Sequence, residues 1–122
     1  MVTVLVVDDN SDIRSITAQF LKHRGYEVHE ASSGEAAIEI LKTVRVDAVV
    51  ADQLLPGTIK GVDVIFRHYK ISPTGCRILL TAAFSDTLRS SCHHINSVYL
   101  QKPVPLDELV RKIKDSLAPY RP

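Results

Sequence analysis

The sequence predicts an α/β fold: a doubly wound, five-stranded parallel sheet with helices on both faces. Three observations carry that expectation. Strand and helix patterns alternate five times along the chain. The first strand, Val4 to Val7, is aliphatic throughout with no polar alternation, as suits a strand buried on both faces. And 122 residues are far too few for a closed eightfold barrel, so right-handed crossovers leave an open sheet.

Each element can be justified in order. After the first strand, Ile13, Ile16, Phe20 and Leu21 recur at helical spacing and Gly25 supplies a stop, predicting a helix over about residues 11–24. A second strand covers Glu27 to Ala31. Ser32 and Glu35 match a capping box ahead of Ala36, Ala37, Ile40, Leu41 and Val44, predicting a helix over 33–44. DAVVAD, residues 47–52, is the third strand. LLPGTIKG then breaks the chain, and Val62, Ile65, Phe66 and Tyr69 define a third helix that ends before SPTG, residues 72–75. RILLT, ending at Thr81, is the fourth strand. SDTLRSSCHHIN has few apolar anchors and reads as a short fourth helix. SVYLQ, residues 97–101, is the fifth strand. Pro105, Asp107 and Glu108 suit the first turn of a last helix, whose apolar face of Leu106, Leu109, Val110, Ile113 and Leu117 runs to about residue 118.

Composition bounds the function. The chain is read as one domain over residues 1–122, and 45% apolar with 24% charged residues is ordinary for a globular protein. A net charge of +1 gives no electrostatic reason to expect direct nucleic-acid or membrane binding. No apolar stretch is long enough to span a bilayer and no signal peptide is legible, so the expected location is the cytoplasm. Cys76 and Cys92 are expected to be free, buried thiols. His93 and His94 are adjacent, point to different sides of a helix, and are expected at the surface rather than on a metal.

The chemistry lies at the strand ends. In open parallel sheets, ligands bind beyond the carboxyl ends of the strands. Asp8 and Asp9 end strand one, Asp52 strand three, Thr81 strand four, and Lys102 follows strand five. Three carboxylates on one rim repel one another, and a hard divalent cation with oxygen ligands relieves that; Mg²⁺, which takes one or two carboxylates and keeps waters, fits, with Mn²⁺ as an alternative ion. Lysine and hydroxyl add donors for an anion, completing a phosphoryl-binding set. Singly, each residue has a blander role: Asp8, Asp9, Asn10 or Ser11 could cap the first helix, Asp52 the next turn, and Thr81 could merely end a strand.

In these five residues and their order the chain resembles a response-regulator receiver domain, over essentially its whole length. The resemblance implies the flavodoxin-like strand order 2-1-3-4-5. It also implies that Asp52 accepts a phosphoryl group from a phosphohistidine on a sensor kinase or phosphotransfer protein. On the same ground Asp9 holds Mg²⁺ directly, Asp8 supports the site through bound water or the metal, Asp52 adds a carboxylate, and the Leu54 backbone carbonyl is a further ligand. Lys102 neutralises the phosphoryl oxygens, which also receive the Thr81 hydroxyl and the Ala82 backbone N–H. Tyr99 matches the aromatic switch that turns inward when Thr81 is drawn to the phosphate; a cis bond is implied before Pro103. Output to a further domain or downstream protein is expected through helix 4, strand 5 and helix 5, with Arg89, His93, Gln101 and Arg111 exposed there, and dimerisation on activation is compatible with it.

Several positions depart from the family pattern. DQLLPGTIKG carries Gly61 one position late after Asp52, so its loop holds an extra residue. Leu55 and Val104 are apolar exchanges for a frequent methionine and aromatic residue. Ile95, Asn96 and Ser97 replace a small pair before strand five. Leu54 and Ala83, which flank the water's approach to the phosphorus in the family, cannot orient it, and Leu54 is expected to lie over the phosphoryl group. Slow dephosphorylation follows. A haloacid-dehalogenase-type hydrolase would require a second aspartate where Leu54 stands; a receiver-like module that is never phosphorylated is the other alternative.

Overall fold

The computed structural model describes residues 1–117. Its elements alternate from end to end: β1 (Thr3–Val7), α1 (Ser11–His23), β2 (Glu27–Ala31), α2 (Gly34–Thr43), β3 (Ala48–Asp52), α3 (Gly61–Ile71), β4 (Cys76–Thr81), α4 (Asp86–His94), β5 (Val98–Gln101) and α5 (Leu106–Leu117). The five strands form one parallel sheet in the order β2-β1-β3-β4-β5. The expected extension of the last helix to residue 118 lies outside the described residues.

Strand periodicity divides the core in two. Leu5, Val7, Val49, Ala51 and Leu79 face one side, where α2, α3 and α4 cover them through Ala37, Leu41, Val64, Ile65 and Cys92. Val4, Val6, Ala48, Val50 and Ile78 face the other, under Leu21 of α1 and Leu109, Val110 and Ile113 of α5. β1 and β3 are buried at every position because both neighbouring strands and both helical layers enclose them. β2, at the sheet edge, keeps Glu27 and Glu30 exposed. Cys76 and Cys92 are free and buried on opposite faces, and burial pushes the Cys92 thiol up to about 11, so both are unreactive packing residues.

Local chemistry corrects one sequence expectation. The cap of α2 is Ser33, not Ser32: its hydroxyl accepts from the Ala36 N–H at 3.1 Å. Glu35 therefore falls in the first turn, with its carboxylate against Gly57 of the β3–α3 loop rather than reaching back to a cap. α4 is the short helix the sequence predicts, nine residues long despite its few apolar anchors. Ser85 caps it by accepting from the Leu88 N–H, and Cys92 with the following Ile95 is buried beneath it. Asn96 takes the left-handed conformation, φ 55°, and lets the Ser97 N–H return to the Cys92 carbonyl at 2.8 Å.

A buried polar network escaped sequence reasoning. His68 and Arg77 are almost wholly buried at the end of the sheet where the strands begin. Arg77 donates to the carbonyls of Ser72 and Pro73 and to the Ser97 hydroxyl, and its Nη1 lies 3.1 Å from His68 Nδ1. His68 Nε2 lies 2.7 Å from the Val46 carbonyl, which requires that nitrogen to carry the proton and leaves Nδ1 to accept from Arg77.

Candidate phosphoryl and metal site

The turn from β1 into α1 releases its two aspartates from capping. Asn10 is the cap: its side-chain oxygen accepts from the Asp12 and Ile13 N–H groups at 3.1 Å. Asp8 instead turns one carboxylate oxygen to the Asn10 N–H at 2.9 Å, and Asp9 remains exposed. Arg14, one turn into α1, donates to the Asp8 carbonyl at 2.8 Å while pairing with Glu30 of β2. Sequence reasoning missed Arg14; its place one helical turn beyond the acidic pair was the available signal.

Asp52 ends β3, and its carboxylate meets Lys102 Nζ at 2.9 Å. Lys102 reaches it from beyond β5, ahead of a cis peptide bond to Pro103. Asp8, Asp9 and Asp52 each offer a carboxylate oxygen within 4.8 Å of the others, a donor set suited to a hard divalent cation. Burial pushes the Asp8 carboxyl above its ordinary value; the Asn10 N–H opposes this, the Asp52 charge adds to it, Lys102 opposes it and Asp9 adds to it. One lysine thus faces three carboxylates, an excess of negative charge that a cation would relieve. His93 and His94 belong to no such cluster among the described residues.

The β4–α4 loop supplies hydroxyl and amide groups at the same rim. Thr81, the last residue of β4, is buried, and its hydroxyl donates to the Ala83 carbonyl at 2.9 Å. Ala82 follows it, exposed. Tyr99 is half-buried, packed on the core beneath the loop; its hydroxyl accepts from the Ser85 N–H at 2.8 Å and donates to the Ala83 carbonyl at 3.3 Å. Phe84 stands edge-on to its ring at 6.2 Å.

Leu54, two residues past Asp52 at the start of the β3–α3 loop, is 68% exposed. Lys60 Nζ closes the loop by donating to the carbonyls of Leu55 and Gly57, and the Lys60 N–H donates to the Asp63 carboxylate at 2.8 Å, starting α3. A side chain at Gly61 would collide with the Asp52 carbonyl, so the helix start presses on the backbone that carries the nucleophile candidate.

An open 2-1-3-4-5 sheet with an acidic trio, a threonine and a lysine at its carboxyl edge is the architecture of a receiver. Over residues 4–114 the sequence matches the response regulator receiver domain, and the chain belongs to that family. It is 27% identical to sporulation initiation phosphotransferase F of Bacillus subtilis over 98% of this chain and 93% of that protein. It is 33% identical to a cyclic di-GMP phosphodiesterase of Thermotoga maritima, but covers only 31% of that protein's length. Among solved structures, a receiver domain protein of Methanospirillum hungatei JF-1 superposes with a TM-score of 0.90 at 26% identity, covering 98% of this chain and 95% of that one. The response regulator TrrA of Thermotoga maritima, in complex with Mg²⁺ and BeF, superposes with a TM-score of 0.80 at 34% identity, covering 96% of this chain and 100% of that one. No helix among the described residues is long and apolar enough to cross a membrane.

Proposed function

We propose that this chain is a phosphoacceptor in two-component signalling, with Asp52 as the residue that takes the phosphoryl group. The supporting observation is the convergence on Asp52 of Lys102, at 2.9 Å, and of Asp8 and Asp9, within 4.8 Å. An Asp52 carboxylate oxygen attacks the phosphorus of a phosphohistidine on a sensor kinase or phosphotransfer protein. The O–P bond forms as the N–P bond breaks, and the electron pair returns to the imidazole. Alignment and charge neutralisation carry most of such a reaction. Mg²⁺ or Mn²⁺, held by Asp8, Asp9, Asp52 and the Leu54 carbonyl, would supply charge neutralisation at the phosphoryl oxygens. Lys102 shifts from the Asp52 carboxylate to the bound phosphoryl group, and the Thr81 hydroxyl and Ala82 N–H donate to it.

The consequence is a change of surface rather than of fold. Drawing Thr81 toward the phosphoryl group removes its hydroxyl from Ala83 and repacks the loop above Tyr99. The face of α4, β5 and α5, where Arg89, His93, Gln101 and Arg111 are exposed, passes that change to an output domain, a downstream protein or a second copy. Incubation with Mg²⁺ and acetyl phosphate should label the wild type but not Asp52→Asn. Equal labelling of the variant, or labelling without a divalent cation, would sink this reading.

A further inference from the structure

The β3–α3 loop is tied twice to the start of α3, and the two ties stand on either side of Leu54. Before it, the Gln53 carbonyl accepts from the Gly61 N–H at 3.2 Å, and the Gln53 side-chain oxygen accepts from the Val62 N–H at 2.9 Å. After it, the Leu55 carbonyl accepts from Lys60 Nζ at 2.6 Å, and the same ammonium donates to the Gly57 carbonyl at 3.1 Å. Leu54 itself is 68% exposed, so packing of its side chain does little to fix its peptide groups. Its carbonyl, which the receiver reading makes a ligand of the cation, is therefore held through its neighbours.

The Lys60 ammonium forms no ion pair among the described residues; both of its bonds go to carbonyls of its own loop. Charge-assisted bonds of this kind are roughly twice as strong as neutral ones. This loop has need of one. It holds one residue more than the family pattern between Asp52 and the glycine that opens α3, and a longer loop has more conformational freedom to lose when it is fixed. The Lys60 bond closes it from the far end. At the near end the Leu55 side chain is buried, and Pro56 confines Leu55 to extended backbone, so fixing the Leu55 carbonyl also fixes the peptide group before it.

Resting on the receiver reading, we infer that Lys60 is a positioning residue for the divalent cation: by holding the Leu55 carbonyl, its ammonium keeps the preceding Leu54 carbonyl at the metal seat. Charge alone has the opposite sign. A positive side chain near a cation site opposes the cation, so if Lys60 acted only through its charge, removing it would tighten Mg²⁺ binding. The clamp requires that removing it weaken Mg²⁺ binding.

Lys60→Met keeps the apolar stem and deletes the ammonium. Lys60→Gln, whose shorter side chain keeps an N–H donor, serves if the first variant does not fold. Mg²⁺ is titrated into the unphosphorylated protein at constant ionic strength and followed by amide chemical shifts. The dissociation constant should rise about tenfold, the low end of what is lost when a group orienting a metal ligand is removed. The rise in melting temperature that Mg²⁺ produces should shrink in parallel. Labelling by acetyl phosphate should need about tenfold more Mg²⁺ to reach half its maximal rate, with the maximum itself within about twofold of wild type, a split that general loss of stability would not produce. Unchanged or tighter Mg²⁺ binding would overturn the clamp and leave the phosphoacceptor reading standing, whether or not the metal-free protein melts earlier. A lower maximal rate with the Mg²⁺ requirement unchanged would overturn it too. If the wild type binds no Mg²⁺, the metal seat falls and takes the clamp with it.

Discussion

Thr81 and Tyr99 share one acceptor: both hydroxyls donate to the Ala83 carbonyl, at 2.9 and 3.3 Å. The threonine belongs to the phosphoryl rim and the tyrosine to the strand beneath the α4 face, so a single peptide group joins the two regions. Loss of the Thr81 bond leaves Tyr99 and the Ser85 N–H to define the loop.

Tyr99→Phe tests that linkage. It removes the acceptor of the Ser85 N–H and should cost about 1 kcal/mol of stability, as for one ordinary hydrogen bond. Asp52 should still be labelled by acetyl phosphate, because Tyr99 makes no bond to the acidic trio. The amide shifts that beryllofluoride produces in α4 and β5 should shrink. Full-sized shifts in the variant would remove the hydroxyl from the communication route.

Asp8→Asn tests the electrostatics of the acidic trio. The wild-type protein without metal carries three neighbouring carboxylates against one lysine, and Asp8 is buried. Removing one charge should raise the melting temperature of the metal-free protein and diminish the further rise that Mg²⁺ gives the wild type, since a ligand stabilises only as it binds the folded state. A lower melting temperature in the metal-free variant would mean that the Asn10 contact outweighs the repulsion.

His68 sets a pH dependence. Burial holds its imidazole below the usual 6.5, the Val46 carbonyl opposes this, Arg77 adds to it and Asp47 opposes it. The unfolded chain thus takes up this proton more readily than the folded one. The stability from the neutral ring is complete above the unfolded value of 6.5 and is lost as pH falls from there through the lower folded value. Urea denaturation at about pH 7.5 and about pH 5.5 should show a larger loss for wild type than for His68→Gln, which cannot titrate. Equal losses would assign the acid sensitivity to other groups.

The lifetime of phospho-Asp52 is the last expectation. Neither Leu54 nor Ala83 has a side chain able to orient an attacking water, and both are exposed, which leaves room for a polar side chain at either position. Leu54→Asn with Ala83→Glu should speed loss of the phosphoryl group about tenfold, equivalent to roughly 1.4 kcal/mol in the barrier. An unchanged rate would show that these positions do not control hydrolysis here.

Alternation of apolar runs and helical stripes determined by itself that this chain forms a two-faced α/β sheet, because period and burial are local properties of sequence. The strand ends followed from the same reading, and with them the rim shared by Asp8, Asp9, Asp52, Thr81 and Lys102. The strand order and the family followed from the resemblance those residues carry. What depended on atoms brought together from distant segments was legible only in the tertiary structure. Ser33 rather than Ser32 caps α2, because the two serines differ only in which one the backbone turns toward the helix. Arg77 reads in sequence as a polar residue opening a strand; only the fold brings His68, Ser72, Pro73 and Ser97 around it. The exposure of Leu54 depends on how the β3–α3 loop settles against α2 and α3, and so does the reach of Lys60 to the carbonyls of Leu55 and Gly57. These are matters of packing between elements, which no local pattern encodes.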